Sequence, residues 1–179
     1  SPGSGKTFVL SEMIKRTIKK DEMQLYHGVI AISYTRKASS NLKNRTISEG
    51  SSQKNSFFGT IDNFCFTQII ECFGNYILGY PIKSLEIISL RNLTEEEYEQ
   101  YKWISLEHPD YVNLQSDQLE LISSLFLQGK ILVESLELLA LHILRNCKAC
   151  RNYLKARFKY IFIDEFQDIN RIQNDIFKC

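Results

Sequence analysis

The 179-residue sequence predicts an α/β fold, a parallel sheet interrupted by an all-helical insertion. Three observations predict it. The runs "GVIAISY" (28–34) and "YIFI" (160–163) are short, almost continuously apolar and rich in β-branched or aromatic residues, as strands covered on both faces are. Each lies beside a stretch of helical period, and strands alternating with helices build parallel sheets. Residues 74–157, by contrast, read as helix throughout, which gives the insertion.

The first helix is expected from about Lys6 to Lys20. Leu10, Met13, Ile14, Thr17 and Ile18 recur at helical spacing, and Lys19 and Lys20 put cations where a helix C-terminus favours them. The strand at 28–34 follows, then a polar helix in "RKASSNLKNRTI". "SFFGTI" reads as a strand ending near Ile61, with Asp62 expected to cap a helix carrying Cys65, Gln68, Ile69 and Cys72 on one face. Within the insertion, Thr94 and Glu97 form a capping box, with Leu93 and Tyr98 as its hydrophobic staple. Leu132, Val133, Leu136, Leu139, Ala140, Ile143, Leu144 and Cys147 then trace one helical stripe. After the strand at 160–163, Ile169, Ile172 and Ile176 suggest a last helix, with Asp168 as its candidate cap.

Composition narrows the function classes. Hydrophobic residues make up 44%, charged residues 24%, and the formal net charge is +1, the balance of a soluble globular protein. Such a balance exerts no global pull towards nucleic acid or anionic membrane, so any nucleic-acid contact must be local. No apolar run reaches the roughly 20 residues that span a bilayer. Five cysteines make an odd set that reads as reduced thiols in a cytoplasmic setting. Cys147 and Cys150 form a lone C-x-x-C. Core packing is its simpler reading, because a metal would need further ligands, such as His142, from elsewhere.

Chemistry concentrates at the two ends. "SPGSGKT" carries the closing part of the phosphate-loop pattern G-x-x-x-x-G-K-[ST]. In such a loop, backbone N–H groups and a helix N-terminus converge on phosphate oxygens, and Gly3 and Gly5 allow close approach. Pro2, Gly3, Ser4, Gly5, Lys6 and Thr7 are therefore the candidate nucleotide-binding residues, with Lys6 on the β- and γ-phosphates and Thr7 on Mg²⁺. At the other end, the strand 160–163 delivers Asp164 and Glu165 to the carboxyl edge of the sheet, where ligands of open α/β sheets collect. Asp164 suits Mg²⁺ held through its water shell, and Glu165 suits the general base that activates water. Tyr34, Thr35, Arg36 and Lys37 set an aromatic ring, a hydroxyl and two cations at a strand end. That combination offers base stacking and phosphate contact, and equally suits an ordinary basic strand-to-helix turn.

"PGSGKT", "ISYTRKASSNLKNR", "FFGTIDNFC" and "YIFIDEFQDIN" resemble, in that order, four motifs of the UvrD/Rep-like superfamily-one DNA helicases. "DEFQD" after an apolar strand is the most specific of them. The resemblance implies a P-loop NTPase (RecA-like) fold and a motor that uses ATP and Mg²⁺ to move along single-stranded DNA, typically 3′ to 5′, and to open duplex junctions. A role in DNA repair, replication restart or phage defence, alongside a partner nuclease or repair protein, is compatible with it. By motif position it implies Lys6 and Glu165 as catalytic residues, with Gln167 coupling the nucleotide site to the rest of the motor. Tyr34, Thr35, Arg36, Thr60 and Asp62 fall at positions on the DNA side. The family often has Asn at the position of Arg36, His at that of Asp62 and Arg at that of Phe8.

The implied organisation is residues 1–73 as the first part of RecA-like domain 1A, residues 74–157 as a helical 1B-like insertion, and residues 158–179 as the return to domain 1A. The chain is then expected to be an excerpt, without the strand before the phosphate loop and without a second RecA-like domain. Two alternatives stay open: a DNA-sensing regulatory ATPase that does not unwind, and a non-catalytic nucleic-acid-binding module.

Overall fold

In the computed structural model the described residues are 5–20, 22–47, 53–105 and 115–179. They form two compact units, residues 1–64 with 151–169 and residues 65–150 with 170–179. The division falls within the helical stretch that begins at Ile61, and the last ten residues belong with the second unit.

The first unit is built on a three-stranded parallel sheet. Helix α1 (Lys6–Ile18) leads to strand β1 (Gly28–Ile32), helix α2 (Arg36–Thr46), strand β2 (Phe57–Gly59) and the short helix α3 (Ile61–Phe64). Strand β1 lies in the middle, with β2 on one side and β5 (Phe158–Ile163) on the other. All five β1 residues are buried, as its unbroken apolar run requires of a central parallel strand. Ala31 is level with Phe58 and Phe162, and Val29 is level with Tyr160. This set alternates along the strands and therefore shares one face. Ile14 and Ile18 of α1 and Leu42 of α2 pack onto it with Met23. On the opposite face, Ile30 is level with Phe57 and Ile161, and Phe64 stands edge-on to Phe57 at 5.3 Å between ring centroids. Burying an aliphatic side chain stabilises by about 1.5–3 kcal/mol, so the α1–β1–α2 cluster is the main anchor of this unit. Strand β5 is less covered than its sequence suggests, with Ile161 44% exposed.

The second unit contains a π-helical segment (Cys65–Ile70) running into α4 (Glu71–Leu78), strand β3 (Glu86–Ile88), helices α5 (Glu95–Tyr101) and α6 (Ser116–Leu127), strand β4 (Lys130–Leu132) and α7 (Leu136–Asn146). Helix α8 (Lys148–Arg157) leads back to β5, and α9 (Arg171–Lys178) packs on α7. The insertion is thus not all-helical: β3 and β4 pair in parallel, Ile87 level with Ile131. A three-residue apolar run is too short to separate strand from helix by period, and the Leu132 stripe absorbed β4 and the 3-10 turn Val133–Ser135 into one helix. Leu90, Tyr101, Leu125 and Leu132 form a core cluster here.

Three local expectations shift. Thr60, not Asp62, caps α3, its hydroxyl accepting the Asn63 amide at 3.3 Å. Asn170, not Asp168, caps α9, its side-chain oxygen accepting the Gln173 amide at 2.8 Å. In both places two competent capping residues stand two positions apart, and the first helical turn selects one. Cys72 is exposed while Cys65 and Ile69 are buried, because the wider π turn carries Cys72 off the face that a 3.6-residue period gives it. The Thr94–Glu97 capping box is present as expected.

Candidate active site and nucleic-acid track

Parallel strands all end on the same edge of the sheet, so the register decides which residues meet. Ile32, Gly59 and Ile163 are level across the three strands. The residues that follow them, Ser33–Tyr34, Thr60 and Asp164–Glu165, therefore share the carboxyl edge. Two backbone bonds prolong the ladder past the strands, from the Ser33 amide to the Gly59 carbonyl at 3.1 Å and from the Asp164 amide to the Ile32 carbonyl at 2.9 Å.

Helix α1 brings the phosphate-loop end to this edge. Gly5 precedes it with φ of 72°, in the left-handed region that glycine adopts without a Cβ penalty, and a Cβ there would meet no atom within 4 Å. The constraint at Gly5 is therefore conformational and not steric. Lys6 Nζ lies 3.6 Å from Glu165 Oε2. Gln167 Nε2 donates to the same oxygen at 2.5 Å. Lys6, Glu165 and Gln167, widely separated in sequence, thus form one cluster. Thr7 stands beside Lys6 in the first turn of α1. Pro2, Gly3 and Ser4 lie outside the described residues.

Two adjacent carboxylates have opposite electrostatic settings. Asp164 is partly buried, and that burial, together with the neighbouring Glu165 charge, pushes its pKa above the ordinary aspartate value. Glu165 is held below the ordinary glutamate value, first by the Gln167 hydrogen bond and then by the Lys6 ammonium. A partly desolvated carboxylate favours a neighbouring cation, and an ionised one accepts a proton, so each setting suits its expected role. Glu165 also has φ 54° and ψ 49°, a left-handed backbone that non-glycine residues adopt rarely and at a cost of about 1–3 kcal/mol. It opens a single 3-10 turn, Phe166–Asp168, closed by the Asp168 amide on the Glu165 carbonyl at 3.0 Å.

The oxygen donors fit a hard, strongly hydrated cation. Among the described residues no group of three or more His, Cys, Asp or Glu could hold a metal ion, so there is no all-protein cage. One or two carboxylates and a hydroxyl are what Mg²⁺ takes when most of its ligands are water and phosphate oxygens. Cys147 and Cys150 are both buried, as side chains packed in a core are.

At the expected nucleic-acid contacts, Tyr34 is 53% exposed. Its hydroxyl donates to the Asp168 carbonyl. Thr35 has a structural duty, since its hydroxyl caps α2 by accepting the Ala38 amide at 3.1 Å. Arg36 and Lys37 open α2, whose first turn holds no acidic residue. Cations at a helix N-terminus oppose its dipole, and an anion placed there would offset both. The Thr60 hydroxyl is likewise occupied as a cap, and Asp62 is exposed in the first turn of α3. Two residues of this edge escaped the sequence reading. Asp168 contributes through its backbone carbonyl, which no residue pattern can reveal. Ser33 is 1% exposed, and among the described residues its hydroxyl has no hydrogen-bond partner.

Lys6, the paired carboxylates Asp164 and Glu165 and the exposed Tyr34 thus share one edge of a parallel sheet. The profile of the UvrD/REP helicase N-terminal domain matches residues 1–129 and, in a second overlapping segment, residues 92–179. The chain belongs to this UvrD-like helicase family. It is also similar to the Gabija protein GajB of Bacillus cereus (strain VD045), with 28% identity over 180 residues, covering 98% of this chain and 32% of that protein. The chain thus spans about a third of the length of the curated relative it matches. Among the described residues no helix is long and apolar enough to cross a membrane.

Proposed function

We propose that this chain is the ATP-binding and ATP-hydrolysing part of a UvrD-like DNA helicase that moves along single-stranded DNA and opens duplex. In this reading the first compact unit belongs to RecA-like domain 1A, and the second takes the place of the 1B insertion. The observation that carries it is the cluster of Lys6, Glu165 and Gln167, beside Asp164 and on the same sheet edge as Tyr34.

Lys6 and the Gly5 backbone bind and orient the triphosphate. Thr7 and Asp164 would hold a hydrated Mg²⁺, which when bound would supply charge neutralisation to the phosphates. Glu165 takes a proton from the attacking water, and its lowered pKa keeps it ionised and ready to do so. Gln167 fixes the Glu165 carboxylate through the 2.5 Å bond and so determines which oxygen is free for water. Tyr34 offers its exposed ring to a base, and Arg36 and Lys37 at the start of α2 offer charge to the phosphates.

The test is ATP hydrolysis by the full-length protein with and without single-stranded DNA, beside its Glu165→Gln variant. DNA should stimulate hydrolysis. The variant should lose about 10²–10⁴-fold in rate, the usual contribution of a general base, while still binding nucleotide. Hydrolysis indifferent to single strands would remove the helicase reading. Stimulated hydrolysis without strand displacement would favour a DNA-sensing ATPase instead.

A further inference from the structure

We propose that the Tyr34 hydroxyl is a restraint on the hydrolytic turn, released when a nucleic-acid base stacks on the Tyr34 ring. The inference rests on the motor reading above and deepens it by naming the contact through which the strand regulates Glu165.

The turn from Asp164 to Asp168 is fastened to β1 and its extension at both ends. At its start, the Asp164 amide bonds the Ile32 carbonyl at 2.9 Å. At its end, the Asp168 carbonyl accepts the Tyr34 hydroxyl. Ile32 and Tyr34 are two residues apart, so a five-residue loop is clamped onto one short piece of backbone. Inside the clamp the slack is small, because the turn is a single 3-10 turn closed by the Asp168 amide on the Glu165 carbonyl. A movement of Asp168 therefore reaches Glu165 through one hydrogen bond.

Glu165 is also the residue with something to gain from movement. Its left-handed backbone is a conformation held by its surroundings, and it relaxes when they loosen. In the clamped arrangement its Oε2 faces both Gln167 and Lys6. That pairing fixes the orientation of the carboxylate and keeps Lys6 on it.

The two ends of Tyr34 have separate tasks. Tyr34 is 53% exposed and stands directly before the Thr35 cap and the Arg36–Lys37 pair, a setting that suits a stacked base with its phosphate. The hydroxyl, at the far end of the same rigid ring, holds Asp168. A base that re-tilts the ring must move the hydroxyl, since the two are one planar body. Stacking and restraint then compete, and strand binding frees the turn.

The experiment measures ATP hydrolysis by the full-length protein, with and without an oligothymidylate, in wild type, Tyr34→Phe and Tyr34→Ala. Tyr34→Phe keeps the ring and removes the restraint. Its DNA-free rate should rise about two- to ten-fold, the range that one neutral hydrogen bond covers, and its stimulation by DNA should shrink accordingly. Tyr34→Ala should also raise the DNA-free rate while needing more oligothymidylate for half-maximal response. A raised rate cannot come from misfolding. A DNA-free rate at or below wild type in Tyr34→Phe, with wild type still stimulated, overturns the restraint and leaves the motor reading intact. A wild type indifferent to oligothymidylate overturns both.

Discussion

Gly28 opens the central strand, and replacing it with alanine tests whether β1 organises the site. A Cβ on Gly28 would stand 2.3 Å from the Asn55 carbonyl oxygen and 2.7 Å from the Ser56 nitrogen. Comfortable carbon contacts begin near 3.5 Å, so either β1 or the 55–56 backbone must retreat by about 1 Å. Backbone cannot rotate away as a side-chain tip can. The retreat falls on two hydrogen bonds, the Asn55 amide to the His27 carbonyl at 3.2 Å and the buried Val29 amide to Ser56 Oγ at 3.1 Å. Overpacking costs about 1–3 kcal/mol, and weakening such bonds adds about 0.5–1.5 kcal/mol each, which gives roughly 2–6 kcal/mol for Gly28→Ala. Hydrogen exchange read on a peptide covering 28–34 in the full-length protein is the direct assay, because it reports the opening of β1 itself. At tenfold per 1.4 kcal/mol, exchange should quicken by between roughly thirty-fold and roughly ten-thousand-fold. Ser56→Ala, which removes the Val29 bond alone, should give the smaller part of that effect. Unchanged exchange in Gly28→Ala would refute the close packing of β1 against residues 55–56, and with it the rigid base assigned to Ile32 and Tyr34.

Asp164→Asn should stabilise the protein near neutral pH when Mg²⁺ and nucleotide are withheld. The folded state raises the Asp164 pKa, so proton binding there supports folding fully below the ordinary aspartate value, and that support is lost as pH rises through the raised one. The gain from the variant in urea unfolding at pH 7 should shrink towards pH 4, and a loss at pH 7 would contradict the electrostatic setting. Thr35→Ala should cost about 0.5–2 kcal/mol through the lost α2 cap, whereas Thr35→Ser should restore it. DNA affinity that falls equally in Thr35→Ser would assign the threonine methyl group a contact beyond the cap.

Legibility in the sequence followed the length and redundancy of the signal. The first unit was readable because β1 and β5 are unbroken apolar runs and α1 repeats its period over more than three turns. The second unit was harder, since β3 and β4 have three residues each and the π turn leaves no mark in composition. Caps were misplaced by two residues wherever Thr60 stood near Asp62, or Asn170 near Asp168, because both candidates are chemically competent. Lys6, Glu165 and Gln167 could be nominated one by one, but their meeting on one Glu165 oxygen and the left-handed Glu165 backbone are geometry that no pattern of residue types encodes. The Tyr34 to Asp168 bond joins positions 134 residues apart through a main-chain carbonyl, so only coordinates reveal it.

The π-helical segment 65–70 has a consequence for comparing sequences. One turn there uses about one residue more than an α-turn, and everything downstream is rotated by roughly 100° relative to an uninterrupted helix. A relative with one residue fewer at this place could keep the same start and the same end of the helix, while presenting a different residue at each position between. A single gap aligned to residues 65–70 would then be a change of winding and no loss of fold. Matching Cys72 by column alone would compare an exposed side chain with a buried one.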